Sequence, residues 1–266
     1  MSQFFPTLVR METVKTLPEL PLTEVLDLAL QAGLLVHLSG GDTARAASTM
    51  HRSALALGAV RADTVVSSLN IGLTIERGTE RETAFRRAPH VGANFTNLSD
   101  IERCLEALED GQLSADAFRE GLAAIARHKP HYPRWLMAIL IGVSCGAFAA
   151  LFGGDAGAVL ITTLGAGLGV AVRFVLLARG FKPVLFAIAA SFVALLVVGL
   201  LQRFTATPDA ALAASVLFLI PGVPLINGAS DMLVANYLNG MVRLTMSAMI
   251  VLGIAIGVSV ALRFLS

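Results

Sequence analysis

In the second half of the chain, charged positions are so sparse that the apolar runs between them can be measured. Uncharged stretches cover residues 135–154, 156–172, 183–202, 210–230 and 244–262, each between 17 and 21 residues long. A helix crossing a hydrocarbon core of about 30 Å needs roughly 20 apolar residues. Five such runs in succession predict five membrane spans, at about 135–154, 156–177, 183–202, 210–226 and 243–264. The first half patterns differently. PLTEVLDLALQAGLLVHLSGG predicts a helix with its N-cap near Thr23 and a stop at Gly40 and Gly41. DTARAASTMHRSALALGA repeats apolar Ala47, Met50, Ala54 and Leu57 at helical spacing, with Asp42 or Thr43 as N-cap. From Asp63 to Arg87 the residues are β-branched and alternating and turn at Gly78, which predicts two or three strands with a hairpin. LSDIERCLEALEDGQLSADAFREGLAAIARHK predicts two amphipathic helices. Ser99 and Glu102 form a capping box for the first; Gly111 stops it and Ser114 opens the second. The expected fold is a mainly α membrane protein. A small α/β domain (helix-helix-sheet-helix-helix, residues 1–134) precedes five transmembrane helices (135–266).

Charge sharpens this division. Residues 135–266 hold only nine charged side chains: Asp155, Arg173, Arg179, Lys182, Arg203, Asp209, Asp231, Arg243 and Arg263. The first 134 residues hold the other 30, with 14 positive against 16 negative. That near-neutral balance gives no reason to expect nucleic acid as a partner. Arg127, Lys129 and Arg134 before the first span, Arg179 and Lys182 after the second and Arg243 after the fourth place those segments in the cytoplasm by the positive-inside rule, with the C-terminus outside. Tyr132 and Trp135 suit an interfacial aromatic belt. The N-terminal residues lack the apolar region of a signal peptide. Three glycine pairs, Gly142/Gly146, Gly165/Gly169 and Gly253/Gly257, lie four apart on helix faces and suit close packing, either within the chain or against a partner.

Catalytic chemistry is poorly served. His37, His51, His90, His128 and His131 have no metal-ligand spacing, and Cys104 and Cys145 form neither a disulfide framework nor a metal pattern. No catalytic residue, metal or cofactor is expected. Gly142-Val143-Ser144-Cys145-Gly146 matches G-x-S-x-G, but that motif needs a strand-turn-helix. Inside a span, Ser144 is expected to bond its own helix carbonyls.

The fourth apolar run holds the chemistry. FLIPGVPLINGASDMLVANYLNGMVRL, Phe218 to Leu244, meets Pro221, Gly222 and Pro224, then Asn227, Asp231, Asn236 and Asn239, then Arg243. Entering near Ala210, the span reaches Pro221 about 17 Å in, close to the bilayer centre. Proline and glycine there break the helix, and the freed backbone groups need protein or water around them. Transporters build solute sites from such interrupted helices. Asn227 and Asp231 share a face if the helix resumes. Asp231 is then a proton carrier or the ion-pair partner of Arg243. A polar connector between two spans is the plainer account of the same residues.

SGGDTARAASTMHRSALALGA, the glycine-rich first span ending in FGG and PGVPLINGASDMLVANYLNGMVRL together resemble the threonine/serine exporter family. The closer likeness is to its split form, in which a chain with a cytoplasmic domain and about five spans works with a second, smaller membrane subunit. The resemblance implies a bacterial inner-membrane exporter of threonine, serine or succinate-type dicarboxylates. It implies family motif positions at Pro221, Gly222, Asn227, Asp231, Gly240 and Arg243, and a cytoplasmic motif at Gly40, Asp42, Thr43, Arg45 and Arg52. Many relatives carry an acid two residues after the arginine; this chain has Ala47. Joined to the residue reading, it gives proton-driven export of a small metabolite substrate. Asn227, Asp231, Asn236 and Asn239 line the path, and Arg243 with Arg173 neutralises a carboxylate; Arg173 lies one residue past an uncharged run, so snorkelling to the interface is the plainer account of that residue. Besides the substrate, the expected partners are the second subunit, membrane lipid and, in some assemblies, further copies of the chain. A membrane-anchored ligand sensor or scaffold is the competing function, but it needs neither five spans nor a broken fourth.

Overall fold

The computed structural model describes residues 20–88, 93–127 and 132–265; His90, His128 and His131 lie outside them. The chain divides into two compact units that meet between Ala126 and Arg127.

In the first unit, helices α1 (Leu22–Leu38) and α2 (Thr43–Ala56) precede an antiparallel meander of β1 (Arg61–Val66), β2 (Asn70–Arg77) and β3 (Glu80–Arg87), followed by α3 (Phe95–Glu109) and α4 (Ala115–Arg127). Ile71, Leu73 and Ile75 alternate along β2 and are fully buried against the helices, among them Val25, Leu30, Val36, Met50, Ile101, Leu105, Phe118 and Leu122. Two residues join β2 to β3, pairing Arg77 with Glu80, and Gly78 takes the left-handed φ of 62° this tight turn needs. Two expected helix starts move. Helix α1 begins at Leu22 behind Pro21, one residue before Thr23 and without a side-chain cap. Helix α3 begins at Phe95, capped by Asn94 Oδ1 accepting from Asn97 N at 3.2 Å. Ser99 is therefore inside the helix, its hydroxyl donating to Phe95 O, and the capping box does not form. Asn94 offers the same chemistry five residues earlier, ahead of the aromatic Phe95, and wins the cap. Ser114 does cap the next helix, accepting from Ala117 N at 3.2 Å.

In the second unit, α5 (Arg134–Leu151), α6 (Ala156–Ala178), α7 (Pro183–Leu201, followed by a 3-10 turn at Gln202–Phe204) and α10 (Tyr237–Leu265) are each long and apolar enough to cross a membrane. Between α7 and α10 run α8 (Pro208–Ala214), a 3-10 turn at Leu217–Leu219 and α9 (Gly222–Leu233). Together these are long and apolar enough for a broken span or a re-entrant loop, bent by 65° at the break. The unit thus has the composition of a multi-pass membrane protein. Glycines set its packing. A Cβ at Gly142 or Gly146 would collide with Thr163 and Val159 backbone or side-chain atoms of α6. Gly165 and Gly169 rest on Ala194 and Ala190 of α7, and Gly253 and Gly257 on Val184 and Ile188 of the same helix. All three pairs are used inside the chain. Ser144 Oγ donates to Leu140 O at 2.9 Å within α5, as expected of a hydroxyl in a span.

Candidate functional site

The interruption of the fourth span has a definite geometry. Pro221 (φ −79°, ψ 63°) adopts an inverse γ-turn, with Gly222 N donating to Ile220 O at 2.9 Å. The helix restarts immediately: Leu225 N donates to Pro221 O at 3.1 Å, and Pro224 stands in the first turn, where its missing N–H leaves no gap. The break is packed among α6, α7 and α10. The Phe218 ring reaches Gly169 of α6, and Leu219 packs in one apolar cluster with Phe186, Ala187, Ala190 and Ile254. Leu219, two residues before Pro221, thus meets α7 at its fourth, fifth and eighth residues, within the first turns of that helix.

After the break the structure departs from expectation. Helix α9 continues to Leu233, beyond the expected end at 226, and α10 starts at Tyr237, six residues before the expected 243. Asn239 and Arg243 therefore belong to a helical hairpin and not to a connector, with Asn236 at its tip. Of the two sequence accounts, a resumed helix and a polar connector, the helix holds: these residues fall at helical spacing, and Asp231 and Asn239 are buried between α9 and α10. Ala235 (φ 61°) makes the turn, and Asn236 N donates to Asp231 O at 2.8 Å. Gly228 and Gly240 let the two helices touch; a Cβ on Gly240 would stand 3.0 Å from Gly228 O. Beside this crossing, Arg243 Nε lies 3.3 Å from Asp231 Oδ2, their side chains 11% and 2% exposed. Asn239 Nδ2 donates to Asn236 Oδ1 at 3.0 Å. Asn227 is half-buried one turn before Asp231.

This cluster is separate from the break. Gly253 touches Val184, the second residue of α7, and Arg243 precedes Gly253 by ten residues, about 15 Å along the helix. The hairpin of α9 and the first part of α10 therefore extends past the end at which α7 begins. The single polar path expected from the sequence is resolved into two places, a break inside the bundle and an ion pair beyond it. Arg173 belongs to the first. It lies on α6 with its guanidinium 5.4 Å from the centre of the Phe186 ring, the ring that clusters with Leu219. Its Nε is buried without a hydrogen-bond partner among the described residues.

The residues of the cytoplasmic motif lie in the first unit, and each has a place in its packing. Gly40 (φ 86°) ends the α1 stop next to Ala93, and Thr43 is buried at the first position of α2. Asp42 caps α2, its carboxylate accepting from Arg45 N at 2.6 Å. Arg52 donates Nε and Nη2 to the two oxygens of Glu109 at 2.8 and 2.6 Å, and Nη1 to Glu102 at 2.5 Å. Arg45 adds a longer contact to Glu102 at 3.9 Å. His51 Nδ1 sits 3.0 Å from Ala62 O. The fork of Arg52 ties α2 to α3 and holds the Glu109 carboxyl below the usual carboxylate range.

Sequence reading missed Asp155. Its carboxylate caps α6 at Ala158 N (2.7 Å) and accepts from Thr205 Oγ1 (2.5 Å) and Ala206 N (2.8 Å), while its own N–H donates to Thr207 Oγ1 (2.9 Å). These bonds hold its pKa down to about 2, the Thr205 hydroxyl contributing most. They join the α5–α6 turn to the segment that starts the broken span. Gly157 makes the approach feasible, since a Cβ there would collide with Phe204 O. An Asp before an apolar helix signalled the cap; nothing local signalled partners some 50 residues away.

Among the described residues no three His, Cys, Asp or Glu side chains gather as a metal site. Cys104 has its thiol pKa raised, chiefly by burial, the opposite of an activated nucleophile. What the arrangement offers is a guanidinium and a helix break inside a membrane bundle, with an internal ion pair beside it.

Comparison with known proteins agrees with that chemistry. Residues 27–265 match the model of the family described as "Putative threonine/serine exporter". The chain is 29% identical over 239 residues to the "Probable succinate transporter subunit YjjP" of Klebsiella aerogenes, covering 88% of this chain and 92% of that one. It is 30% identical over 238 residues to the protein of the same description in Escherichia coli K12, with the same coverage of each. An uncharacterized protein of Haemophilus influenzae matches at 27% over 126 residues, 47% of this chain and 42% of the other. No solved structure matches the chain.

Proposed function

The chain belongs to the threonine/serine exporter family, and from that membership we propose that it is one subunit of a proton-driven exporter of small carboxylates in a bacterial inner membrane. It is a transporter and not an enzyme. The observation that carries the substrate class is Arg173, stacked on the Phe186 ring that clusters with Leu219 just before the break. A half-buried guanidinium is costly in a membrane interior unless something balances it. Stacking on Phe186 offsets part of that cost. A visiting carboxylate offsets more, because it takes a bidentate pair of hydrogen bonds. Interrupted helices of this kind are the elements from which transporters assemble solute sites.

Charge favours a dicarboxylate over a zwitterion. An amino acid brings an ammonium that needs a carboxylate, and the second unit has three described acids: Asp155, Asp209 and Asp231. Asp155 is committed to Thr205 and Ala206, Asp231 to Arg243, and Asp209 is exposed in the first turn of α8, away from Arg173 on α6 by the whole stretch from α8 to the break. The succinate description of the Klebsiella and Escherichia relatives points the same way. The word subunit in that description supports a second membrane chain in the transporter.

In this reading Arg173 binds the solute, and the pair Asp231–Arg243, with Asn227, Asn236 and Asn239, controls passage at the cytoplasmic end. Protonation of Asp231 releases Arg243 and couples the proton gradient to opening. Efflux from cells preloaded with labelled succinate or threonine tests it, with the partner chain co-expressed. Arg173→Gln is expected to abolish succinate efflux, and Asp231→Asn to uncouple it from the proton gradient, with normal amounts of protein in the membrane. Undiminished efflux in Arg173→Gln removes the site from the mechanism.

A further inference from the structure

A second basic feature lies at the mouth of the α5–α6 hairpin, apart from the break and the hairpin pair. Arg134 is the first residue of α5 and Arg179 caps the end of α6, so the antiparallel helices bring both to one end of the bundle. Between them opens a groove of about 360 Å³. Arg134, Trp135 and Arg179 stand at its rim, and its floor is Ala138, Ala171, Phe174, Val175 and Ala178. Neither arginine has an acidic partner among the described residues, and no Asp or Glu occurs in residues 134–154 or 171–182. Trp135 is 64% exposed at the rim.

The two halves of the groove make opposite demands. Its rim concentrates two guanidiniums, which match the oxygens of a phosphate by paired hydrogen bonds. Its floor is apolar and open to the hydrocarbon. A small dianion in water satisfies the rim and gains nothing from the floor. An apolar helix of another protein covers the floor and leaves two charges unmatched. A phospholipid satisfies both at once, and an indole at headgroup depth is where tryptophan is favoured. Basic pockets between membrane helices hold acidic lipid head groups by this balance of forces.

We propose that this groove binds one anionic phospholipid, with its phosphate held between Arg134 and Arg179 and an acyl chain along Ala138, Ala171, Phe174 and Val175. Lys182, three residues past Arg179, adds to the positive field.

The full chain, purified in mild detergent and equilibrated with vesicles of equal phosphatidylglycerol and phosphatidylcholine, tests the proposal by native mass spectrometry. The intact protein is expected to retain a single phosphatidylglycerol in preference to phosphatidylcholine. Each basic side chain near a membrane surface contributes about 1 kcal/mol to holding anionic lipid. Arg134→Gln and Arg179→Gln are therefore each expected to weaken retention about fivefold, and the double variant by the product. Ala171→Trp fills the floor without touching the charges and should also expel the lipid. Arg263→Gln, at the opposite end of the bundle, should change nothing. Equal retention of both lipids by the intact protein overturns the proposal, as does unchanged phosphatidylglycerol retention in the folded double variant. A cysteine at position 138 that crosslinks to another protein chain and not to a photoreactive phosphatidylglycerol overturns it in favour of a helix in the groove.

Discussion

Replacing Arg52 by alanine removes hydrogen bonds to two carboxylates at once and leaves Glu102 and Glu109 facing each other across two turns of α3. Partly exposed ion pairs contribute about 0.2–1 kcal/mol each. Arg52→Ala is expected to cost roughly 1–2 kcal/mol, read as a lower midpoint of thermal unfolding. Arg52→Lys should recover only part, since an ammonium cannot fork. The pH dependence follows from Glu109, whose folded pKa lies below its ordinary 4.5. Its contribution is complete above 4.5 and disappears as the pH falls through the lowered folded value. The difference between Arg52→Ala and the parent protein should therefore narrow on acidification below 4.5. Asp155 obeys the same sign: its contribution is full above 3.8 and is lost only as the pH approaches about 2. Asp155→Asn keeps the shape but halves the acceptor capacity, and is expected to unfold at lower temperature at neutral pH while matching the parent near pH 2. Neither network was legible in the sequence. Arg52 finds Glu102 and Glu109 across some 50 residues, and Asp155 finds Thr205 at a similar distance. Local spacing identifies a cap but carries no information about which remote segment folds back on it.

Helices were far more legible, because period and length are local properties. Four of the five apolar runs are helices long and apolar enough to cross a membrane and the fifth is the bent pair α8 and α9, while the alternation of Ile71, Leu73 and Ile75 marks a strand with one buried face. The passage from α9 to α10 had two accounts in the sequence, a resumed helix and a polar connector, and the structure takes the helix, with α9 and α10 reaching further toward each other than their apolar runs. In a membrane-associated hairpin the buried face is the polar one, so an apolar count ends each helix too early. The glycines of these helices divide by what surrounds them. Gly257 lies against Ile188 O and Ser191 Oγ, and Gly257→Val should force α7 and α10 apart, with an overpacking cost of about 1–3 kcal/mol. Loss of stability in detergent, measured by thermal aggregation, reports it. Nothing lies within 4 Å of a Cβ at Gly222. Gly222→Ala should leave folding intact or stabilise α9 by about 0.5–1 kcal/mol. A slower efflux rate in that variant would show that the break must flex during transport, because the static structure has room for the methyl group.

At the scale of the second unit, depth is the quantity to measure. Helix α10 has 29 residues, about 43 Å of helix, more than the roughly 30 Å of a hydrocarbon core. Single cysteines in a Cys104→Ser, Cys145→Ser background can map it with a membrane-impermeant thiol reagent applied to inverted vesicles. Positions 238 and 241, exposed on the projecting part, are expected to label quickly, and 253 and 257, packed against α7, to resist. Equal labelling at all four would place the hairpin inside the bilayer. The way this hairpin is fastened has a mechanical outcome. Below Gly253, α9 and α10 are clamped together at Gly228, Gly240 and the Asp231–Arg243 pair, so they swing as a single arm with its fulcrum where α10 meets α7. Tilting that arm by about 10° carries Arg243 sideways by roughly 2.6 Å over its 15 Å reach. The clamp prevents the displacement from being absorbed within the arm. It is passed along the chain to the γ-turn at Pro221, which makes the projecting arm a lever on the break in the fourth apolar run.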